Sequence, residues 1–262
     1  MRITLKRHAL LYSAAGALFL AGTLQAGLVS TVNAGGQFHD SAQTFGCSNA
    51  GTTTASCDFE AFGVPGTFDY ASGSYQANAQ YGSLDVTSMS STYHSGDLTG
   101  TSAAGFSDTF LLTGGIGSGT LVFVTEYWGY GQGEACDLGA CDLNSTVTLN
   151  TFTAHPNGGG PTIVYLPFSF SFDTLFNLNA SASTYTSALG HDLVTRDAHL
   201  RIGAIEVLDS NGALITNYGV TSGSGADYPF ATPEPGTSAL VIAALIALPI
   251  IRRKSISACR RG

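Results

Sequence analysis

Short runs of β-branched and aromatic residues, cut every few positions by Gly, Ser or Thr, fill the chain from residue 27 to residue 221. This is a strand-and-turn pattern, and no persuasive 3.6-residue period competes with it. Its cleanest stretch is Phe168, Phe170 and Phe172 alternating with Ser169 and Ser171. Three rings then lie on one face and hydroxyls on the other. Pro167 assigns that strand to an edge or a bulge. Leu121-Val122-Phe123-Val124 is continuously apolar and reads as a central strand covered on both faces. Further on, Leu200 and Ile202 share one phase while Ile205 and Val207 take the other. A β-bulge at Gly203-Ala204 accounts for the slip.

Other strand-like runs are Gln37 to Gly46, Ser56 to Phe62, Gly66 to Tyr81, the stretch through Leu84, Val86 and Met89, and Ser145 to Phe152. Gly114 to Gly119 has neither the Gly-Lys-Ser/Thr ending nor the following helix of a phosphate loop. It reads as a hairpin connection between Phe106–Thr113 and Thr120–Trp128. Asp209-Ser210-Asn211-Gly212 is a turn, with Ala213 to Val220 returning as hairpin partner. About nine to eleven strands imply an all-β fold, an antiparallel β-sandwich of jelly-roll-like type.

The two ends read differently. Met1 to Ala26 has a basic start (Arg2, Lys6, Arg7), an apolar run from Ala9 to Leu24 and a small-residue end at Ala26. These are the parts of a secretory signal peptide. At the other end, Gly236 to Ile251 gives 16 uncharged residues before Arg252-Arg253-Lys254. A spanning helix needs about 20. Snorkelling of the basic side chains or local thinning of the bilayer covers the deficit. The basic cluster belongs on the cytoplasmic side. The expected organisation is therefore a signal peptide at 1–26, an exported sandwich at 27–221, a flexible linker at 222–232, a sorting signal at 233–254 with a single transmembrane helix at 236–251, and a basic cytoplasmic tail at 255–262.

Pro233-Glu234-Pro235, the short hydrophobic span and the Arg252-Arg253-Lys254 cluster together resemble the PEP-CTERM sorting signal of Gram-negative bacteria. The resemblance covers residues 233–254. It implies handling by an exosortase, a membrane transpeptidase-like cysteine enzyme, and delivery to the cell surface or extracellular polymer. That sorting system is associated with exopolysaccharide production, which makes exopolysaccharide an expected partner. The chain departs from most such tails by continuing from Ser255 through Cys259 to Gly262.

Charge agrees with export. Of 10 Lys and Arg, three precede residue 8 and five follow residue 251, leaving Arg196 and Arg201 between them. All 18 Asp and Glu lie between Asp40 and Glu234, so the exported part carries −16. Such a field excludes nucleic acid as a partner. Charged residues are only 11% of the chain, so the surface is expected to consist mostly of Ser, Thr, Asn, Gln and Gly. Four exported cysteines fit an oxidising compartment. They allow three pairings, of which the local one, Cys47 to Cys57 and Cys136 to Cys141, is the economical expectation.

Three places could hold chemistry. Glu126-Tyr127-Trp128-Gly129-Tyr130 with Glu134 offers rings that stack on sugars and carboxylates that bond hydroxyls. Glu126, Tyr127, Trp128 and Tyr130 are the candidate glycan contacts, against the plainer reading that the rings complete the core. A glycosidase needs its two carboxylates facing each other across a bond, which spacing does not establish. Asp137, Asp142 and Asn144 are hard oxygen donors of the kind calcium prefers, although their spacing is not that of an EF-hand. His191-Asp192 and Asp197, His199 and Arg201 supply triad-like residue types, but no Gly-x-Ser-x-Gly marks a nucleophile. On a strand, Asp197, His199 and Arg201 form one outward polar face. No cofactor and no catalysis are expected. The function read from the chain is a structural or interaction protein of the cell surface; the alternative is a carbohydrate-binding module, and a glycoside hydrolase stands behind both.

Overall fold

The computed structural model describes residues 26–38, 43–66, 68–134, 142–156, 158 and 160–231. The signal peptide, the sorting signal with its transmembrane segment, Cys136, Cys141 and Asp137 lie outside the described residues. Among these residues fourteen strands form. The first seven are β1 (Gly27–Phe38), β2 (Thr44–Gly51), β3 (Thr54–Phe62), β4 (Tyr70–Gln80), β5 (Ser83–Tyr93), β6 (Gly96–Thr113) and β7 (Ser118–Trp128). The others are β8 (Gly131–Glu134), β9 (Asp142–Leu149), β10 (Phe152–Ala154), β11 (Thr162–Ser171), β12 (Leu175–Leu189), β13 (Leu193–Asp209) and β14 (Gly219–Ser222).

These strands make two antiparallel sheets whose inner faces share one core. The first sheet runs β10-β9-β12-β6-β1-β2, with β14 added to β6; the second runs β11-β7-β13-β5-β4-β3, with β8 added to β13. Strict alternation builds the interface between them. In β5, Leu84, Val86, Ser88, Ser90 and Thr92 are buried while the intervening residues face outward, as period two requires. Cys47 on β2 is bonded to Cys57 on β3, which ties the two sheets along one side.

Several expectations hold. β11 is an edge strand with Pro167 inside it, and Phe170 and Phe172 are buried. The register between β13 and β7 shifts between Ile202 and Ala204, where the two hydrophobic phases meet. The N–H groups of Asn211 and Ala213 bond the Asp209 side chain, and Gly212 takes φ +81°.

Other expectations are corrected. Leu121 and Phe123 are buried, but Val122 and Val124 are only half-buried, because among the described residues no layer covers the outer face of the second sheet. The Gly114–Gly119 connection joins strands of different sheets rather than a hairpin. The return after Gly212 pairs with β13 only around Leu214 and Ile215 before the chain crosses to β6. Ser and Thr do not stay on the surface: Ser30, Ser88, Ser90, Ser102 and Thr186 are fully buried.

The expected linker after residue 221 is docked through residue 231. Ala231 N–H bonds Ile205 O, and Ile205 N–H bonds Pro229 O, both at 2.8 Å. The rings of Tyr228 and Phe230 meet Phe110 edge-on at 4.7 and 5.6 Å. Buried Asp108 accepts the Ser224 N–H and hydroxyl. A segment with two aromatic anchors and a buried carboxylate partner gains more from packing than a Gly/Ser composition suggests.

Candidate functional site

Register decides which side chains meet. Trp128, at the end of β7, lies opposite His199 of β13, and His199 lies opposite Asp85 of β5. All three occupy the outer face of the second sheet. The Trp128 and His199 rings stack at 4.8 Å with planes 12° apart. His199 Nδ1 is 2.7 Å from Asp85 Oδ1, and its Nε2 is 3.5 Å from Asp197 Oδ2. Burial disfavours the imidazolium, but the Asp85 hydrogen bond and the charges of Asp197 and Asp85 outweigh it, so His199 titrates above its ordinary range.

Asp197 also holds the end of β7. Its carboxylate accepts the Tyr130 N–H, and its own N–H donates to Tyr130 O at 2.9 Å. A Cβ on Gly129 would stand 2.7 Å from Asp197 O and 2.9 Å from the Pro156 ring, so this approach requires glycine. Beside the turn lies a depression of about 140 Å³ bordered by Tyr127, Trp128, His155, Pro156 and Thr162, with Gly129, Gly158 and Gly160 completing it.

Beneath it sits Arg196, which is only 5% exposed. Its Nε and Nη2 donate to Ser145 Oγ at 3.1 and 2.9 Å, and Nη2 also donates to Pro156 O. Ser145 Oγ donates to the same carbonyl at 2.6 Å. Burial lowers the Arg196 pKa, partly offset by Asp197. The guanidinium thus fixes Pro156, one wall of the depression, to β9.

The expected glycan contacts are divided between faces. Trp128 and Glu126 are on the outer face, where Glu126 is opposite Arg201 and Ile163. Tyr127 points inward, its ring 5.8 Å from Phe152. Tyr130 is 53% exposed and donates its hydroxyl to Gln132 Oε1. Nothing is described of the side chains of Glu134 and Asp142; Asn144 is exposed on β9.

Asp197, His199 and Arg201 share the outward face, with Ala198, Leu200 and Ile202 buried behind them. His191 and Asp192 do not join them. The His191 ring meets Tyr93 edge-on at 4.2 Å, near His94, whose Nδ1 is 2.9 Å from Asp69 Oδ1. His191 precedes β13, and the six strand steps from Leu193 to His199 alone span about 20 Å. Asp85, His155, Pro156 and Arg196 belong to the site without forming a motif in the sequence, because strand register and the contact of Arg196 with Pro156 O bring them there. No family model matches the chain, and neither a curated protein nor a solved structure matches it.

Proposed function

We propose that this chain is an exported, jelly-roll-like sandwich of the cell surface or extracellular polymer, sorted through its C-terminal signal by an exosortase, with a structural or interaction role and no catalysis. Its two ends support the address: a signal peptide at 1–26, and Pro233-Glu234-Pro235 before an apolar span and Arg252-Arg253-Lys254. One observation supports binding over chemistry. The depression beside Trp128 is bordered by aromatic, proline, glycine, histidine and threonine residues, while the carboxylates of Asp85 and Asp197 are directed at His199 and the Tyr130 N–H. Replacing Pro233-Glu234-Pro235 by alanines is expected to hold the protein unprocessed at the inner membrane. Unchanged localisation and processing would refute the sorting reading.

A second reading, a carbohydrate-binding module for exopolysaccharide, is favoured by the Trp128–His199 stack. One indole face is held by the imidazole, and the ring borders an open depression, an arrangement suited to a sugar ring. The wild-type protein is expected to be retained on the host's exopolysaccharide and Trp128→Ala is not. Absence of any retention would leave a surface protein whose partner is another protein.

A further inference from the structure

We propose that β11 is a self-pairing edge, through which two copies of the chain join by antiparallel β11–β11 contact centred on Val164. The inference depends neither on export nor on the Trp128 depression. Sheet edges carry unpaired N–H and C=O groups, and natural proteins shield them with charge, shortness or a cover. Of the other three edges, β3 and β10 follow this rule, and β2, which is uncharged, is tied to β3 by a disulfide. β3 carries Asp58 and Glu60, and Cys57 is bonded to Cys47 on β2. β10 is three residues long. β11 is ten residues long, pairs among the described residues with β7 alone and contains no charge. On its outer face Ile163 is 58% and Tyr165 66% exposed, while Val164 and Leu166 on the other face are half-buried.

The occupant follows from the symmetry of the segment Pro161-Thr162-Ile163-Val164-Tyr165-Leu166-Pro167. In an antiparallel pair centred on Val164, Ile163 of one copy faces Tyr165 of the other, twice. Aromatic and β-branched residues are favourable cross-strand partners. Pro161 of one copy faces Pro167 of the other, so both ends of the contact fall where no N–H is available. A proline within an edge strand keeps its nitrogen on the solvent side. Residues two apart point alike, so the N–H and C=O of Ile163 and Tyr165 lie on that free side. Each Ile163–Tyr165 pair can then exchange both backbone bonds. Charge favours the same edge. Copies with −16 in the exported part repel each other elsewhere. The nearest carboxylate in this row, Glu126, stands one strand back and opposite Arg201.

The test is sedimentation and light scattering of the purified protein, its ends as the cell leaves them, over a dilution series. Wild type is expected to show a monomer–dimer equilibrium. Tyr165→Pro removes an outward N–H and a largely exposed ring, neither of which holds β11 to β7, so it should melt near wild type and stay monomeric. Tyr165→Lys keeps the N–H and serves if the proline variant fails to fold. It should weaken the dimer by about tenfold or more, because two like charges enter one contact. Ser56→Lys on β3 should change nothing. A wild type that is monomeric throughout, or a dimer that survives both Tyr165 variants, overturns the proposal. So does exchange protection of the Ile163 and Tyr165 amides in dilute monomer, which would mean that another part of the chain already covers the edge.

Discussion

Along the strand direction the interior changes character. Toward one end of the sandwich the sheets meet through rings: Phe110 stacks with Phe176 at 6.5 Å, Phe123 lies 6.0 Å from Phe176 and 5.5 Å from Phe168, and Tyr228 and Phe230 close over Phe110. Toward the other end a flanking cluster of Phe38, Phe45, Phe59 and Tyr75 closes one side, and between it and the far edge the sheets meet through hydroxyls. Tyr75 Oη is 2.6 Å from Ser90 Oγ, which is 2.8 Å from Thr186 Oγ1. Ser88 Oγ donates to Ser102 Oγ at 3.0 Å and lies 2.7 Å from Thr184 Oγ1. Ser102 in turn donates to Thr87 O at 2.6 Å. The ring end is held mainly by filled volume, with buried Asp108 bonded to Ser224 as a polar anchor. The hydroxyl end needs every group to find a partner, since a buried polar group without one is costly. The same chain thus holds its sheets together by two different rules.

The ring end should show the largest single-residue effect. Phe110→Ala removes a fully buried ring touching three others. It is expected to cost about 3–5 kcal/mol, the transfer free energy plus an unfilled cavity. Urea unfolding checks this through a lower midpoint at unchanged slope. Because Tyr228 and Phe230 rest on Phe110, the variant should also release residues 224–231 to proteolysis. A loss below about 1 kcal/mol, within the range of ordinary substitutions, would mean that the rings repack freely and the ends do not differ.

Alkaline titration separates the two ends. Burial pushes the Tyr75 hydroxyl up to about 12, with the bonds to Ser90 and Thr186 working the other way. An unfolded tyrosine loses its proton near 10. Between 10 and about 12 the native state binds more protons than the unfolded one, so stability falls as pH rises. The contribution is full below pH 10 and gone by about pH 12, about 2–3 kcal/mol in all. Tyr228, at the ring end, is also raised, by burial first and then by the charge of Asp108. Tyr75→Phe and Tyr228→Phe should each remove part of the alkaline slope. An unchanged slope in Tyr75→Phe would show that the hydroxyl end does not hold its proton.

The ring end is legible in the sequence only in part, since Tyr228 and Phe230 fall in the expected linker, and the hydroxyl end is not. Phe168, Phe170 and Phe172 announce their face by alternation, and the phase change at Gly203-Ala204 announces the bulge. Gly100-Thr101-Ser102-Ala103-Ala104 reads as loop composition, yet it is the middle of β6, and Gly27–Phe38 likewise became β1 without a strong pattern. Small residues are needed there: a Cβ on Gly100 would fall 1.9 Å from the Tyr75 ring. Propensity scales describe the usual half-buried strand and miss one built for close approach. At the candidate site Trp128 with its neighbours, and Asp197 with His199, stand out in the sequence as separate features. His199 was assigned correctly to an outward face, but its partners Trp128 and Asp85 are set by register across β7, β13 and β5, which sequence spacing does not encode.

The smallest expected effect bears most directly on the rule proposed for the hydroxyl end. Ser88→Ala removes one oxygen and leaves the Thr184 hydroxyl buried beside a methyl group. The expected cost is about 1–2 kcal/mol, mainly the desolvation of the stranded group. Thr184→Val alone should cost less, because Ser88 loses one partner but still donates to Ser102 Oγ. Replacing both removes donor and acceptor together with little change of shape, and such a change can be nearly neutral. The double variant should therefore be more stable than the sum of the singles by about 1 kcal/mol or more, a coupling that a double-mutant cycle in urea measures directly. Additive costs would mean that the two hydroxyls do not depend on each other, and that this end, like the ring end, is held mainly by volume.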